Sequence, residues 1–313
     1  MKTLGIDTSN YTTSAAVYDP EGTSLNAGRL LDVKEGELGL RQSDALFAHV
    51  KRLPEQFLRL EQAGVLCDIQ AVAASTRPRA VEGSYMPCFL AGSSQAQALA
   101  ATMGVPFFAF SHQQGHLAAA AWSAGRLDLL DTPHLAWHLS GGTTELLYVQ
   151  PIGYNITARR IGGTSDISAG QLIDRTGKRL SMRFPAGKAL DAASAQAQTD
   201  STFQVKLQGL EFSLSGVENK VMEVIQRGLS PEDTARFTLN TVCSAVVRTT
   251  LKALEQYPGL PVLCSGGVAS NSLLRRELVA QCGALFAEPE YSTDNAMGIA
   301  ILANRAVEQG ART

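Results

Sequence analysis

The sequence predicts a mixed α/β protein made of two related halves with a cleft between them. Strand-like apolar runs alternate with helical patterns along the chain. Two polar turns, Asp7-Thr8-Ser9-Asn10 and Ser140-Gly141-Gly142-Thr143-Thr144, each sit in a hairpin that opens a β-rich half ending in strand and helix. The 313 residues are enough for two lobes, and 45% hydrophobic with 18% charged residues describes an ordinary globular chain.

The first half opens with a hairpin over Thr3–Thr8 and Ser14–Tyr18, and the Asp19-Pro20-Glu21-Gly22 turn leads to a third strand over Ser24–Leu31. A helix begins near Ser43 and is expected to break or restart at Pro54. Ile69–Ala74 is a short strand, followed by a small-residue helix from about Pro87 to Met103 that Gly104 ends. Val105–Phe110 is another strand, and a histidine-bearing helix follows it. In the second half, Leu135–Leu139 and Glu145–Val149 flank the glycine turn, and helices are expected at Ser165–Leu180 and Lys188–Ala197. A long helix opens at Ser230, where Pro231 and Asp233 suit a first turn. Val262–Ser265 reads as a buried strand, Gly266-Gly267 as a tight turn, Asn271–Cys282 as a helix and Asn295–Gln309 as the last helix. The expected division is residues 1–110 with 296–313 in an N-terminal lobe and 111–295 in a C-terminal lobe carrying the metal and nucleotide motifs.

Several function classes fall away on composition. No stretch approaches the roughly 20 apolar residues of a membrane helix, and the chain enters a strand at Thr3 without a cleavable signal pattern, so a cytoplasmic protein with no membrane contact is expected. Cys67, Cys88, Cys243, Cys264 and Cys282 are scattered and never spaced as CxxC, which argues against a disulfide framework and a thiolate metal site. A net charge of -2 carries no global nucleic-acid signature, so any such contact must come from local basic clusters. Those are Arg77/Arg79, Arg159/Arg160, Arg175/Lys178/Arg179/Arg183 and Arg275/Arg276, of which the 175–183 stretch is the first to test.

His112 and His116 in Ser111-His112-Gln113-Gln114-Gly115-His116 share one helix face, a spacing that suits one metal ion. Isolated histidines are more often core or surface residues. His134 and His138 have the same spacing in a strand, where they would lie roughly 13 Å apart. Gln113 and Gln114 supply no general base, which disfavours the HExxH type of peptide hydrolysis. By type the best third ligand is Asp294, whose bland alternative is a helix N-cap; the sequence alone does not choose. Ser140-Gly141-Gly142-Thr143 and Ser265-Gly266-Gly267 would let backbone amides approach phosphates, but each also reads as a plain turn. Neither fits GxxxxGK[ST] or GxGxxG.

Taken in order, Leu4-Gly5-Ile6-Asp7-Thr8-Ser9, Ser111–His116, Ser140-Gly141-Gly142, Phe212-Ser213-Leu214-Ser215-Gly216, Gly266–Asn271 and Thr293-Asp294-Asn295-Ala296 resemble the TsaD/Gcp family. That family is the transferase of tRNA threonylcarbamoyladenosine synthesis, long misnamed an O-sialoglycoprotein endopeptidase. The resemblance spans nearly the whole chain. It implies an actin/Hsp70/sugar-kinase (ASKHA) fold with duplicated lobes and a central nucleotide cleft. It implies one divalent metal, iron or zinc, on His112, His116 and Asp294. It implies ATP, AMP or an acyl-adenylate on Asp174, Gly187, Asn271, Gly266 and Gly267, more loosely on Asp191, with Ser140, Gly141, Gly142 and Thr143 at the phosphate end. In the family the metal is thought to hold threonylcarbamoyl-adenylate and polarise its carbonyl for attack by an adenine amino group of tRNA, with no covalent enzyme nucleophile; no catalytic side chain is assigned here. tRNA and a family member, as heterodimer or homodimer, are the implied partners.

Three departures mark a divergent paralogue. Tyr11-Thr12 stand where the family has an acidic pair, Thr143 where it has histidine, and Arg77–Glu82 where it has a glycine-rich loop. The alternative function is accordingly a catalytically reduced nucleotide-binding partner of an active relative.

Overall fold

The computed structural model describes residues 1–9, 11–32 and 40–311; Asn10 of the first polar turn lies outside them. The chain opens with β1 (Lys2–Asp7), β2 (Thr12–Tyr18) and β3 (Leu25–Leu30), followed by α1 (Gln42–Gln62), β4 (Ile69–Arg77), α2 (Phe89–Met103), β5 (Phe107–Ser111) and α3 (His112–Ser123). These strands form one sheet in the order β3-β2-β1-β4-β5. The first three pair antiparallel, and β4 and β5 join in parallel. β2 is buried along its whole length, which is why small residues recur in it.

The expected break at Pro54 does not occur. α1 runs through it, because Pro54 sits on the exposed side while Ala45, His49, Leu53, Gln56 and Leu60 bury the opposite face. The missing N–H therefore falls where water reaches the orphaned carbonyl, and the inward face outweighs the proline's cost of about 3 kcal/mol. His49 Nδ1 lies 2.8 Å from Thr13 Oγ1, tying the helix to β2.

The second sheet begins with β6 (His134–Leu139), β7 (Thr144–Ile152) and β8 (Asn155–Thr164). Then come α4 (Ala169–Arg179), α5 (Gly187–Ser194), β9 (Leu207–Gln208), β10 (Glu211–Phe212), α6 (Ser215–Gln226), α7 (Pro231–Gln256), β11 (Val262–Ser265), α8 (Ser272–Cys282) and β12 (Leu285–Phe286). The last helix, α9, covers Met297–Glu308. The sheet order is β12-β11-β6-β7-β8-β10-β9, with β11 parallel to both β6 and β12. Read from β8 to β12 it repeats the 3-2-1-4-5 order of the first sheet, which is the predicted duplication. α4 starts later than expected, because β8 continues to Thr164 and Ser168 makes a capping box with Gln171.

Two compact units emerge: the described parts of Met1–Thr132, Gln150–Ala158 and Glu290–Thr313, and Pro133–Val149 with Arg159–Pro289. The division expected at 110/111 and 295/296 is thus displaced. α3, with His112 and His116, and the turn with Asp294 belong to the first unit, because α3 packs along α9 and β5 extends the first sheet. No described helix is long and apolar enough to cross a membrane.

The α3–α9 contact depends on two glycines. A Cβ at Gly298 would lie 1.8 Å from the Gly115 carbonyl oxygen, and one at Gly115 would meet Ile299 Cδ1 at 2.9 Å. Backbone touches backbone there, and no other residue type permits it. We expect Gly298→Ala to cost about 3 kcal/mol in urea unfolding, whereas Gly216→Ala, with open space around it, should stay within about 0.5 kcal/mol.

In the second unit Asp166 braces the Phe212–Gly216 motif. Its carboxylate accepts from Ser213 Oγ at 2.5 Å, Ser215 Oγ at 2.7 Å and Leu214 N at 2.8 Å. Burial works to raise its pKa, but these hydrogen bonds prevail and hold it at about 2, against an ordinary 3.8. A depressed carboxylate contributes stability above its unfolded pKa and loses it as pH falls through the folded value. Asp166→Asn should therefore lower stability at pH 7 by roughly 1 kcal/mol, allowing for solvent screening, with the difference from wild type vanishing between about pH 4 and pH 2.

Candidate functional site

The capping box of α3 sets the first part of the site. Ser111 Oγ accepts from Gln114 N, and Gln114 Oε1 accepts from Ser111 N at 2.8 Å. Gln114 also donates through Nε2 to the Ile156 carbonyl at 2.7 Å, so this residue of the histidine motif is structural. The helix start is thereby fixed, and one turn apart His112 and His116 stand with ring centroids 4.2 Å from each other. Asp294 reaches them from the turn before α9: its Oδ1 is 3.2 Å from His116 Nε2 and 3.5 Å from His112 Nε2. Asp294 is not the N-cap of α9. Ala296 holds that position, Asn295 Oδ1 accepts from Met297 N at 3.1 Å just before the helix, and the Asp294 carboxylate faces the histidines.

These three side chains fit a metal ion. Donors held at about 2.1 Å around one tetrahedral ion lie roughly 3.4 Å apart. The two histidine-to-carboxylate distances match that, and the three donor atoms all fall within 4.8 Å of one another. Two imidazoles and a carboxylate leave a coordination position open, the arrangement of catalytic rather than structural sites, and the donor set suits zinc or iron.

Asp7, at the end of β1 and within the Leu4–Ser9 motif, completes the centre, although no local pattern in the sequence marks it as a site residue. Its Oδ2 is 2.6 Å from His112 Nδ1, and its Oδ1 accepts from Ser9 N at 2.7 Å. This directs His112 Nε2 toward Asp294, as carboxylates behind metal-bound histidines do. Burial opposes charge on Asp7, but the His112 imidazolium and its hydrogen bond draw the carboxyl below its ordinary range. Burial likewise opposes charge on Asp294, and hydrogen bonds from His112 and His116 hold it well down. For His112, burial is outweighed by Asp7 and Asp294, which push it up to about 10. The pocket of charge is negative enough to bind a cation at Nε2, a proton or a metal ion.

The second unit holds a pocket of about 530 Å³ lined by Gly141, Asp174, Gly187, Asp191, Gly267 and Asn271, with Lys188 and Pro185 beside them. Six of the ten predicted nucleotide residues, distant in sequence, thus meet in one place. A Cβ at Gly141, Gly187 or Gly267 would touch nothing within 4 Å, so protein packing does not demand these glycines and the backbone lies open to the pocket. Gly266 differs: at φ 96° its Cβ would lie 2.3 Å from the Leu139 carbonyl oxygen, so it serves the close approach of the chain to the end of β6, the parallel neighbour of β11. Ser140, Gly142 and Thr143 shape the turn beside Gly141 without lining the pocket, Ser140 Oγ accepting from Thr143 N at 3.1 Å. The carboxylates are anchored. Asp174 accepts from Ala186 N at 2.8 Å, and Asp191 accepts from Asn271 Nδ2 at 2.9 Å and Ser272 Oγ at 2.8 Å. Of the altered positions, Thr12 is buried at the start of β2 opposite Leu30, and the Tyr11 carbonyl accepts from Leu31 N.

Residues 43–301 match the model of the family TsaD, tRNA N6-adenosine threonylcarbamoyltransferase. Proteins of that name from Streptococcus pneumoniae are 35% identical over 233 residues, covering 71% of this chain and 66% of theirs. The chain therefore spans slightly less than two thirds of the length of these relatives. Among solved structures, full-length HypF in its phosphate- and nucleotide-bound form aligns with 99% of this chain and 56% of its own, at a TM-score of 0.62 and 13% identity. (R)-2-hydroxyglutaryl-CoA dehydratase component A from Acidaminococcus fermentans aligns with 98% of this chain and 99% of its own, at 0.55 and 16%. At such identities the structures show the fold alone, and it is the ASKHA class that the motif order implies.

Removing one ligand should abolish stoichiometric metal: we expect purified His116→Ala to lose bound zinc or iron in elemental analysis while keeping its circular dichroism. Asp7→Asn should retain the site with affinity lowered about 10- to 100-fold in a chelator competition.

Proposed function

The chain belongs to the TsaD family, and we propose from this that it is a metal-dependent transferase moving a threonylcarbamoyl or related carbamoyl group from an adenylate to tRNA. The observation that carries the reading is the convergence of His112, His116 and Asp294 from two distant parts of the chain on donor spacings an ion requires. A divalent ion there would supply Lewis acidity toward a carbonyl oxygen on which charge develops. His112 and His116 would hold it through Nε2 and Asp294 through a carboxylate oxygen, while Asp7 keeps the His112 ring in one orientation.

The nucleotide part of the donor suits the pocket of the second unit. Its volume is that of sites for nucleoside-sized ligands. Gly141 and Gly267 would bring backbone close to phosphate and sugar, and Asp174 and Asp191, already oriented by Ala186 N and Asn271, would accept hydroxyl protons. No side chain is needed as nucleophile, because the attacking group is the acceptor's own amine. A tRNA acceptor would place the reaction in the cytoplasm.

A second reading rests on Tyr11, Thr12 and Thr143. These replace acidic and histidine positions of the family, which favours a nucleotide-binding partner of an active relative.

The deciding experiment supplies unmodified tRNA and threonylcarbamoyl-adenylate and measures the modified nucleoside by mass. Product from wild type, reduced at least about 100-fold in His116→Ala, is the expected result. No product from this chain alone, together with stimulation of an added active relative, would overturn it in favour of the second reading.

A further inference from the structure

One basic stretch remains outside the metal centre and is only partly engaged by protein. Two of the four basic groups are internally occupied or stacked in part: Arg160 pairs with Glu211, Arg275 lies over Phe286, and Arg276 pairs with Glu277. Arg159 sits over Tyr148. The run from α4 into α5 is different. Arg175 and Arg179 share Glu218, at 2.7 and 3.0 Å, but Lys178, Arg183 and Lys188 are exposed and have no acidic partner among the described residues.

Phe184 lies between these cations. It is 77% exposed, more than any other large apolar residue described. The loop that carries it is braced on both sides. Met182 N donates to the Gly177 carbonyl at 2.8 Å, Ala186 N donates to Asp174 at 2.8 Å, and a Cβ at Gly177 would strike the Ala186 Cβ at 2.1 Å. The backbone on either side of the ring is therefore braced, and the ring lies in water, forgoing the burial that a core phenylalanine gains. The same segment forms one wall of the 530 Å³ pocket through Pro185 and Lys188.

We propose that this segment, residues 178–188, is a contact surface for single-stranded RNA, with phosphates on Lys178, Arg183 and Lys188 and an unstacked base on the Phe184 ring. Unpaired cations satisfy phosphates without sequence preference, and an exposed aromatic on a braced loop offers a stacking platform that an RNA loop can use and a duplex cannot. An acidic protein would use the cations and leave the ring idle. The proposal rests on the reading of RNA as acceptor and adds where on this chain the RNA lies.

The test is fluorescence anisotropy of the full chain with unmodified tRNA at several salt concentrations. Lys178→Gln with Arg183→Gln should weaken binding about tenfold near 0.1 M salt and lower the slope of log affinity against log salt by roughly 1.4. Phe184→Ala should weaken binding roughly fivefold to a hundredfold, leave the slope unchanged, and leave binding of a duplex RNA of equal length unchanged. All three sites are exposed, so melting temperatures should match wild type. Wild-type affinity and slope in the double variant, or no RNA binding by wild type, overturns the proposal. So does binding of a polyglutamate peptide that displaces tRNA and ignores Phe184→Ala, which would assign the surface to an acidic protein. The outcomes separate from those of the transfer assay. Transfer with RNA binding insensitive to these variants refutes the surface alone, and sensitive binding without transfer refutes the transferase reading alone.

Discussion

The candidate metal centre depends on the contact between α3 and α9, where Gly115 and Gly298 let two backbones touch. The histidines are local to one helix, but their carboxylate is 178 residues away, before the start of the other. Only a close crossing brings that turn within hydrogen-bond range of both imidazoles. The same helix presses on β1, where a Cβ at Gly5 would lie 2.5 Å from Ala300 N, and β1 delivers Asp7 behind His112. One packing geometry therefore fixes ligand, opposing ligand and orienting carboxylate together. A loosened crossing would degrade all three without altering any polar residue.

What could be read from the sequence follows the range of the interaction. The histidine pair is a helix-period signal and needs no tertiary knowledge. Asp294 was a ligand by type and an N-cap by position, and the motif order chose between them. In the structure the N-cap position falls on Ala296, and the Asp294 carboxylate lies against the two histidines instead. Pro54 misled because a local rule ignores which side of a helix faces water. β9 and β10, two residues each, carry no period to detect, and in β8 the adjacent exposed Arg159 and Arg160 break the alternation that would mark a strand. Asp7 is not legible as a site residue, because a carboxylate ending a strand has no local signature of what it faces. The glycine pairs divided in a way spacing could not foresee: Gly267 opens to the pocket, while Gly266 is consumed by packing against Leu139.

The two centres differ in how charge is handled. In the first unit, buried carboxylates favour positive charge beside His112, where a proton and a metal ion would compete for Nε2. In the second unit the acids are tied to neutral donors, the backbone of Ala186 and the side chains of Asn271 and Ser272, and most of the surrounding wall is apolar or glycine. A flat, uncharged ring system is suited to such a wall, while a hard electrophilic ion is suited to the first.

The repeated strand order gives a different view of the divergence. The turn after β1 and the turn after β6 occupy equivalent places in their sheets. One carries Asp7, Thr8 and Ser9, all buried, and the other Gly141 and Gly142, both exposed. One turn presents side-chain charge and the other bare backbone, so the same place in a repeated plan suits a cation in one half and an anion in the other.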